Sequence, residues 1–170
     1  MNLSHCLEKI ETSQQFKNFL EKNPEAKLCA GFFVLDFKEF KDQSQIDYCT
    51  PDGDIFTFTL NNEITLTKPE MIEEEKKLSP LDREKIKIEL QSLKRIVESE
   101  MEKNKVSSNL EKIIAIIQNF ELKDKPTSLI WNLTCMLPGL KIIQVWIDAF
   151  SGEILKFEDK SLFDVIKKVK

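Results

Sequence analysis

Apolar runs separated by turn-forming residues organise the first third of the chain. Residues 28–37 are almost continuously apolar, which is typical of a strand in the middle of a sheet. Residues 46–60 alternate apolar and polar positions on both sides of a Pro-Asp-Gly turn and predict a hairpin. A helix capped by Thr12 or Ser13 and running to about Lys22 is expected before these strands.

The pattern becomes helical and highly charged from Pro69 to about Lys103. Five apolar residues there are spaced 4, 3, 4 and 4 positions apart and form one stripe. They are Ile86, Leu90, Leu93, Val97 and Met101. Ser79-Pro80 is suited to the first turn of this long helix. The stripe either packs inside the molecule or forms a seam between two chains.

The last third again predicts a helix followed by strands. Residues 110–120 are expected to form a helix with a broad isoleucine face. Three strands should follow, over residues 128–137, 140–150 and 153–158, separated by Pro-Gly and Ser-Gly turns. A short basic helix is expected at residues 162–169.

One hairpin pattern occurs twice. Residues 46–58 and 147–157 share Ile, Asp, Gly, Ile and Phe at matching positions once Pro51 and Asp52 are left out of the first copy. The match predicts an internal repeat of about a hundred residues. The alternative is two unrelated hairpins that share common turn residues.

These patterns predict an α+β fold. We expect two small helix-on-antiparallel-sheet units of PepSY/cystatin-like type, joined by a long charged helix. The predicted boundaries are 1–68 for the first unit, 69–105 for the connector helix and 106–170 for the second unit. The two units either stand apart or share one continuous sheet.

The stretch Val145–Leu155 resembles the end of PepSY domains, which consists of a strand, an Asp-Ala pair, a Ser/Thr-Gly turn and a Glu-Val/Ile-Leu strand. The residues that fill this pattern are Ile147, Asp148, Ala149, Ser151, Gly152, Glu153, Ile154 and Leu155. The resemblance covers about residues 108–158, with a diverged copy at about 12–66. It implies a helix on a small antiparallel sheet, a role in binding or restraining peptidases, and no catalytic residues.

Charge and composition argue against several further classes of function. A formal net charge of −4 argues against a nucleic-acid binder, and the four glycines form no phosphate-binding loop, so we expect neither nucleic acid nor a cofactor. We find no signal-peptide pattern and no apolar run long enough to span a bilayer, so we expect a cytoplasmic protein without membrane insertion. The four cysteines are widely spaced, as expected of free thiols.

Candidate chemistry is sparse. His5 and Cys6 are sequence neighbours, a poor geometry for a nucleophile and its base, and they lack partners for a zinc site. Acidic residues cluster at the two hairpins, where turn formation explains them as well as metal binding would. In particular, Asp148 is expected to accept hydrogen bonds from N–H groups of its turn.

Three aromatic residues are the candidate binding positions. Alternation along residues 142–150 places Trp146 and Phe150 on the face opposite Ile147, and Trp131 lies in the preceding strand. We therefore predict a non-enzymatic binding or regulatory module for a protein or peptide, existing as a monomer or as a homodimer through the connector helix. The alternatives are a carrier or sensor of an apolar small molecule, with the two units enclosing a pocket, and an enzyme of unrecognised type.

Overall fold

The computed structural model describes residues 1–68, 78–122 and 125–161. Within these ranges the chain forms three α-helices, one short 3-10 helix and eight strands. In chain order they are α1 (Leu3–Glu11), α2 (Gln14–Lys22), β1 (Lys27–Asp36), β2 (Gln43–Cys49), β3 (Ile55–Leu60), β4 (Ile64–Thr67), the 3-10 helix (Arg83–Lys85), α3 (Leu90–Lys103), β5 (Lys112–Leu122), β6 (Lys125–Leu137), β7 (Lys141–Asp148) and β8 (Ile154–Ser161).

All eight strands belong to one antiparallel sheet with the order β4-β3-β2-β1-β5-β6-β7-β8. The strands of each half of the chain are neighbours in sequence and pair through short connections. The two halves meet in the centre, where Gly31 of β1 pairs with Ile117 of β5 and Leu35 pairs with Ile113. The sheet is therefore continuous from one edge to the other.

The predicted architecture of two units joined by a long charged helix is wrong. The continuous sheet replaces the two units, and α3 has 14 residues and begins at Leu90 rather than near Pro80. Backbone hydrogen bonds hold the chain before α3 to the sheet and to the turn after β7. The Leu81 N–H donates to the Leu28 carbonyl of β1 over 2.8 Å, and the Ile88 N–H donates to the Ala149 carbonyl of the turn over 2.9 Å. The first part of the predicted connector, residues 69–77, lies outside the described residues.

The predicted helix at residues 110–120 is also wrong, because this segment is strand β5. Its isoleucines fit a helical face and an alternating strand equally well, and only the burial pattern separates the two. Ile113, Ala115 and Ile117 are buried, whereas Ile114 and Ile116 are half-buried on the other side. The β-branched side chains favour the strand, since they pack well on a pleated surface.

This change also removes the internal repeat. The first hairpin joins the second and third strands of the chain's first half, whereas the second hairpin joins the third and fourth strands of the second half. The aligned aspartates have different roles. Asp47 accepts a hydrogen bond from Thr57 on the neighbouring strand, whereas Asp148 accepts the N–H groups of Phe150 and Ser151 within its own turn, as expected for Asp148.

The three helices cover one face of the sheet. Helix α2 is confirmed with Ser13 as its cap. Helix α1 was not predicted, and it buries Leu3, Leu7 and Ile10. The stripe of α3 packs inside the molecule, where Leu93 and Val97 are fully buried. These side chains meet one set of strand residues, namely Phe33, Ile46, Tyr48, Phe58, Ile113, Ile117, Trp131, Leu133, Cys135, Ile143, Val145 and Ile147. The predicted helix at residues 162–169 lies outside the described residues.

A glycine is needed at the central pairing. A Cβ atom on Gly31 would lie 2.7 Å from Cε2 of Phe33 and 3.0 Å from Cγ2 of Ile117. The Phe33 ring occupies the space above Gly31 and reaches Trp131, with the two ring centroids 6.0 Å apart. The missing side chain thus allows the largest core residues to meet over the β1–β5 seam.

Alternation along β5 gives a matched pair of variants. We expect Ile113→Ala to lower the free energy of unfolding by about 2–5 kcal/mol, because the side chain is fully buried and its loss leaves a cavity. We expect Ile114→Ala to cost clearly less, because its side chain is half-buried on the opposite face. Urea titration of both variants measures the difference. Equal costs would contradict the strand and its register.

Gly31→Ala tests the seam itself. The added methyl group must displace Phe33 or Ile117, both of which lie in the packed core, so we expect the free energy of unfolding to fall by about 1–3 kcal/mol. Gly53→Ala is not a suitable control because Gly53 has φ +89°. The control is Ala30→Gly, which removes a methyl group from the adjacent position of the same strand. The same urea titration applies. A more stable Gly31→Ala variant would show that no close contact exists there.

Candidate binding face

The face opposite the helices, here called the open face, has a row of four side chains at its centre. Phe32, Ile116, Asn132 and Trp146 are successive Cα partners across β1, β5, β6 and β7. All four are half-buried, and none belongs to the core beneath the helices. None of the three described helices packs on this face.

Trp146 has the most unusual environment on the open face. Its ring stacks on Phe120, with centroids 5.5 Å apart and planes inclined by 29°, and Lys156 places its Nζ 4.9 Å from the indole centroid. The indole Nε1 is buried but has no hydrogen-bond partner among the described residues. An unsatisfied buried donor costs roughly 1–3 kcal/mol, so a ligand that displaced the side chains over Nε1 and supplied an acceptor would remove this cost.

The other two predicted binding residues lie elsewhere. Trp131 is fully buried on the helix-covered face, and its Nε1–H donates to the Ile88 carbonyl over 2.8 Å. Phe150 is 59% exposed in the turn after β7, so strand alternation does not set its direction. Of the three residues, the structure therefore places Trp146 alone on the open face.

Two residues that lie beside Trp146 on the open face were not predicted from the sequence. Phe120 was assigned to a helix, so its position beside Trp146 could not be seen, although reading residues 112–122 as a strand would have placed it on the same face as Ile116. Lys156 becomes a neighbour of Trp146 only through the β7–β8 register, which shifts between Trp146 and Ile147. That irregularity has no clear signal in the sequence.

Asp47 adds a carboxyl group to the open face. Thr57 Oγ1 donates a hydrogen bond to Asp47 Oδ1 over 2.6 Å, between the Cα-paired residues of β2 and β3. Burial raises the pKa of Asp47 above its ordinary value, and the hydrogen bond from Thr57 opposes this shift. Within the described ranges, no three His, Cys, Asp or Glu residues are close enough together to hold a metal ion.

The thiols are placed for packing rather than for reaction. Cys6 is buried, whereas its sequence neighbour His5 is exposed. Burial raises the pKa of Cys6 and of Cys29, and raises the pKa of Cys135 to about 12. A thiol with a raised pKa is protonated at neutral pH and is a weak nucleophile.

A groove of about 790 Å³ lies between α3 and the chain that leads into β5. Its lining includes Phe37 and the charged side chains of Lys94, Glu98 and Lys105, and it opens to solvent. It does not provide the enclosed apolar site that the carrier hypothesis requires. The carrier hypothesis also assumed two separate units that enclose a pocket, whereas both halves of the chain build the same sheet.

Comparison with known proteins shows a similar fold but identifies no family. No family model matches the chain, and no curated protein matches it. The crystal structure of a putative lipoprotein from Clostridium difficile 630 is similar, with 13% sequence identity and a TM-score of 0.54 over 86% of this chain and 90% of that one. At this identity the likeness concerns the fold alone, and the resemblance to PepSY domains gains no support.

The helices themselves are short. The longest, α3, has 14 residues, and no helix in the described ranges has the length and apolar character to cross a membrane.

The environment of Asp47 predicts that the free energy of unfolding depends on pH. When the pKa of a carboxyl group is higher in the folded than in the unfolded state, the folded protein loses stability as the pH rises through the window between the ordinary pKa of about 3.9 and the raised pKa. We therefore expect Asp47→Asn to raise the free energy of unfolding at neutral pH, while Thr57 keeps an oxygen acceptor. The gain should vanish below that window. Denaturant titrations over a pH series measure it.

The control is Asp52→Asn, which removes one negative charge from the exposed tip of the neighbouring turn. The same pH-dependent gain in both variants would assign the effect to net charge rather than to the burial of Asp47.

Proposed function

We propose that this chain is a non-enzymatic binding module that docks a polypeptide segment on the open face of its sheet, around Trp146. The observation that carries the proposal is the buried indole N–H of Trp146, which has no acceptor among the described residues and lies beside an apolar surface on which none of the described helices packs. A ligand that supplies both an acceptor and apolar groups would complete this environment.

A polypeptide matches the mixture of side chains on the open face. Half-buried apolar residues such as Ile116 and Phe32 alternate there with the amides of Asn132 and Gln144. An extended segment offers apolar side chains and backbone carbonyl groups at regular intervals, and the carbonyl oxygen is the acceptor that Trp146 needs. Tryptophan is also among the residues that most often dominate binding energy at interfaces.

The absence of enzymatic activity is part of this proposal. The raised pKa of Cys6 and Cys135 argues against thiolate chemistry, and the exposed His5 is not paired with the buried Cys6. The carboxyl group of Asp47 is tied to Thr57. These features support a binding role over acid–base or nucleophilic catalysis.

The test begins by selecting a displayed random-peptide library on the immobilised protein and measuring the dissociation constant of a selected peptide by calorimetry. We expect Trp146→Ala to weaken binding at least about tenfold, because it removes the ring and the donor, a loss of about 1.4 kcal/mol. Trp146→Phe keeps an apolar ring but removes the N–H, so a smaller loss is expected.

Thr65→Ala is the matched control. Thr65 lies on β4 and is reached from Trp146 along the same row of Cα partners, about 29 Å away at six strand spacings. It should leave the dissociation constant unchanged. Selected peptides that bind equally well to Trp146→Ala, in a variant whose urea midpoint is preserved, would exclude the open face as the binding site.

A further inference from the structure

Two of the four cysteines lie side by side on neighbouring strands. Cys29 belongs to β1, and Cys49 is the last residue of β2, where it pairs with Lys27 of β1. Residues two apart in a strand point to the same face, so Cys29 and Lys27 share a face. Cys29 is therefore the diagonal neighbour of Cys49 across the β1–β2 pairing.

A β-bulge at Cys29 brings the two thiols together. The register of β1 against β2 shifts between Leu28 and Ala30, so Cys29 is an extra residue in this pairing. A bulge bends its strand and changes the direction of the side chain at the extra residue. The Cys29 thiol donates to the Asp47 carbonyl oxygen over 3.4 Å and lies within hydrogen-bonding distance of the Cys49 thiol.

The two sulfur atoms differ in their access to solvent. Cys29 is fully buried, whereas Cys49 is 8% exposed and lies at the end of β2, beside the turn that leads to β3. Burial and the neighbouring Cys49 and Asp47 raise the pKa of Cys29. Cys29 therefore stays protonated at neutral pH, and Cys49 is the thiol that a small solute meets first.

We propose that Cys29 and Cys49 form a reversible disulfide when the protein meets a hydroperoxide, and that this bond fixes β1 to β2 at the bulge. The two sulfur atoms are already neighbours, and a disulfide brings them to about 2.05 Å from each other. The other two thiols have different surroundings: Cys6 contacts the hydroxyl of Ser44, and Cys135 packs in the core beneath the helices.

The reaction consumes one hydroperoxide. The Cys49 sulfur attacks the outer peroxide oxygen, the O–O bond breaks, and the thiol proton leaves with the other oxygen as water or an alcohol. The Cys29 sulfur then attacks the resulting sulfenic sulfur of Cys49. The S–S bond forms, the S–O bond breaks, and the hydroxide leaves with the Cys29 proton as water. The two sulfur atoms lose two electrons in total, which reduce the peroxide.

The high pKa of Cys29 slows the second step, and the proximity of the two sulfur atoms opposes this effect. A thiol attacks as the thiolate, which burial disfavours. Groups held in contact nevertheless react much faster than the same groups free in solution, because no entropy is lost in bringing them together. We therefore expect slow oxidation, as suits a structural crosslink rather than a catalytic cysteine.

The crosslink should stabilise the fold. A disulfide between Cys29 and Cys49 closes the chain that contains the β1–β2 connection into a loop and so restricts the unfolded state. Oxidation also removes the thiol hydrogen that Cys49 donates to the Leu78 carbonyl over 3.7 Å, but thiols are weak donors. The midpoint of urea unfolding should therefore rise on oxidation.

The test treats the folded protein with hydrogen peroxide, unfolds it, alkylates the remaining thiols and identifies the cysteine peptides by mass spectrometry. We expect the peptide that contains Cys29 to be joined to the peptide that contains Cys49, while Cys6 and Cys135 are alkylated. The urea midpoint is compared before and after the oxidised sample is treated with dithiothreitol, which cleaves disulfides but leaves any methionine sulfoxide in place.

Cys6→Ser is the matched control for Cys49→Ser, since each variant replaces one buried thiol. Cys49→Ser should lose both the joined peptides and the shift in midpoint, whereas Cys6→Ser should keep both. The proposal is overturned if Cys29 and Cys49 are still alkylated after peroxide treatment, if either is joined to Cys6 or Cys135, or if Cys49 ends as a sulfinic acid. The peptide map of the wild type decides this even if Cys49→Ser does not fold.

Discussion

The antiparallel pairing of β1 with β5 is the contact on which the rest of the structure depends. It joins two runs of strands that are distant in sequence, and closing so long a connection costs chain entropy that only a well-packed seam can offset. The seam is packed because Gly31 leaves room for the ring of Phe33, which in turn reaches Trp131. Trp131 then holds the chain before α3 through its hydrogen bond to Ile88.

Much of the local structure follows from the sequence, whereas the pairing does not. The turn at Gly53, the turn at Gly152 and the Ser13 cap each have a local physical cause and were predicted. Strand β5 was missed because isoleucines at 113, 114, 116 and 117 satisfy two periodicities at once. That one error hid the central pairing and, with it, the single sheet.

At the candidate site, too, features set by neighbouring residues were predicted, whereas contacts between distant segments were not. Alternation along β7 was enough to place Trp146 opposite Ile147, and the structure agrees. Which face the helices would cover depends on contacts between distant segments, so the burial of Trp131 could not be inferred. The partners of Trp146, namely Phe120 and Lys156, come from the strands on either side of the β6–β7 hairpin and required the register.

The two faces of the sheet have separate roles in the described part of the chain. Beneath the helices, side chains such as Leu93 and Val97 are fully buried and hold the core together. The opposite face carries the half-buried row that includes Trp146, and none of the described helices packs on it. Because neighbouring residues of a strand point to opposite faces, the same strands that build the core through one set of side chains hold the candidate binding residues in place through the other.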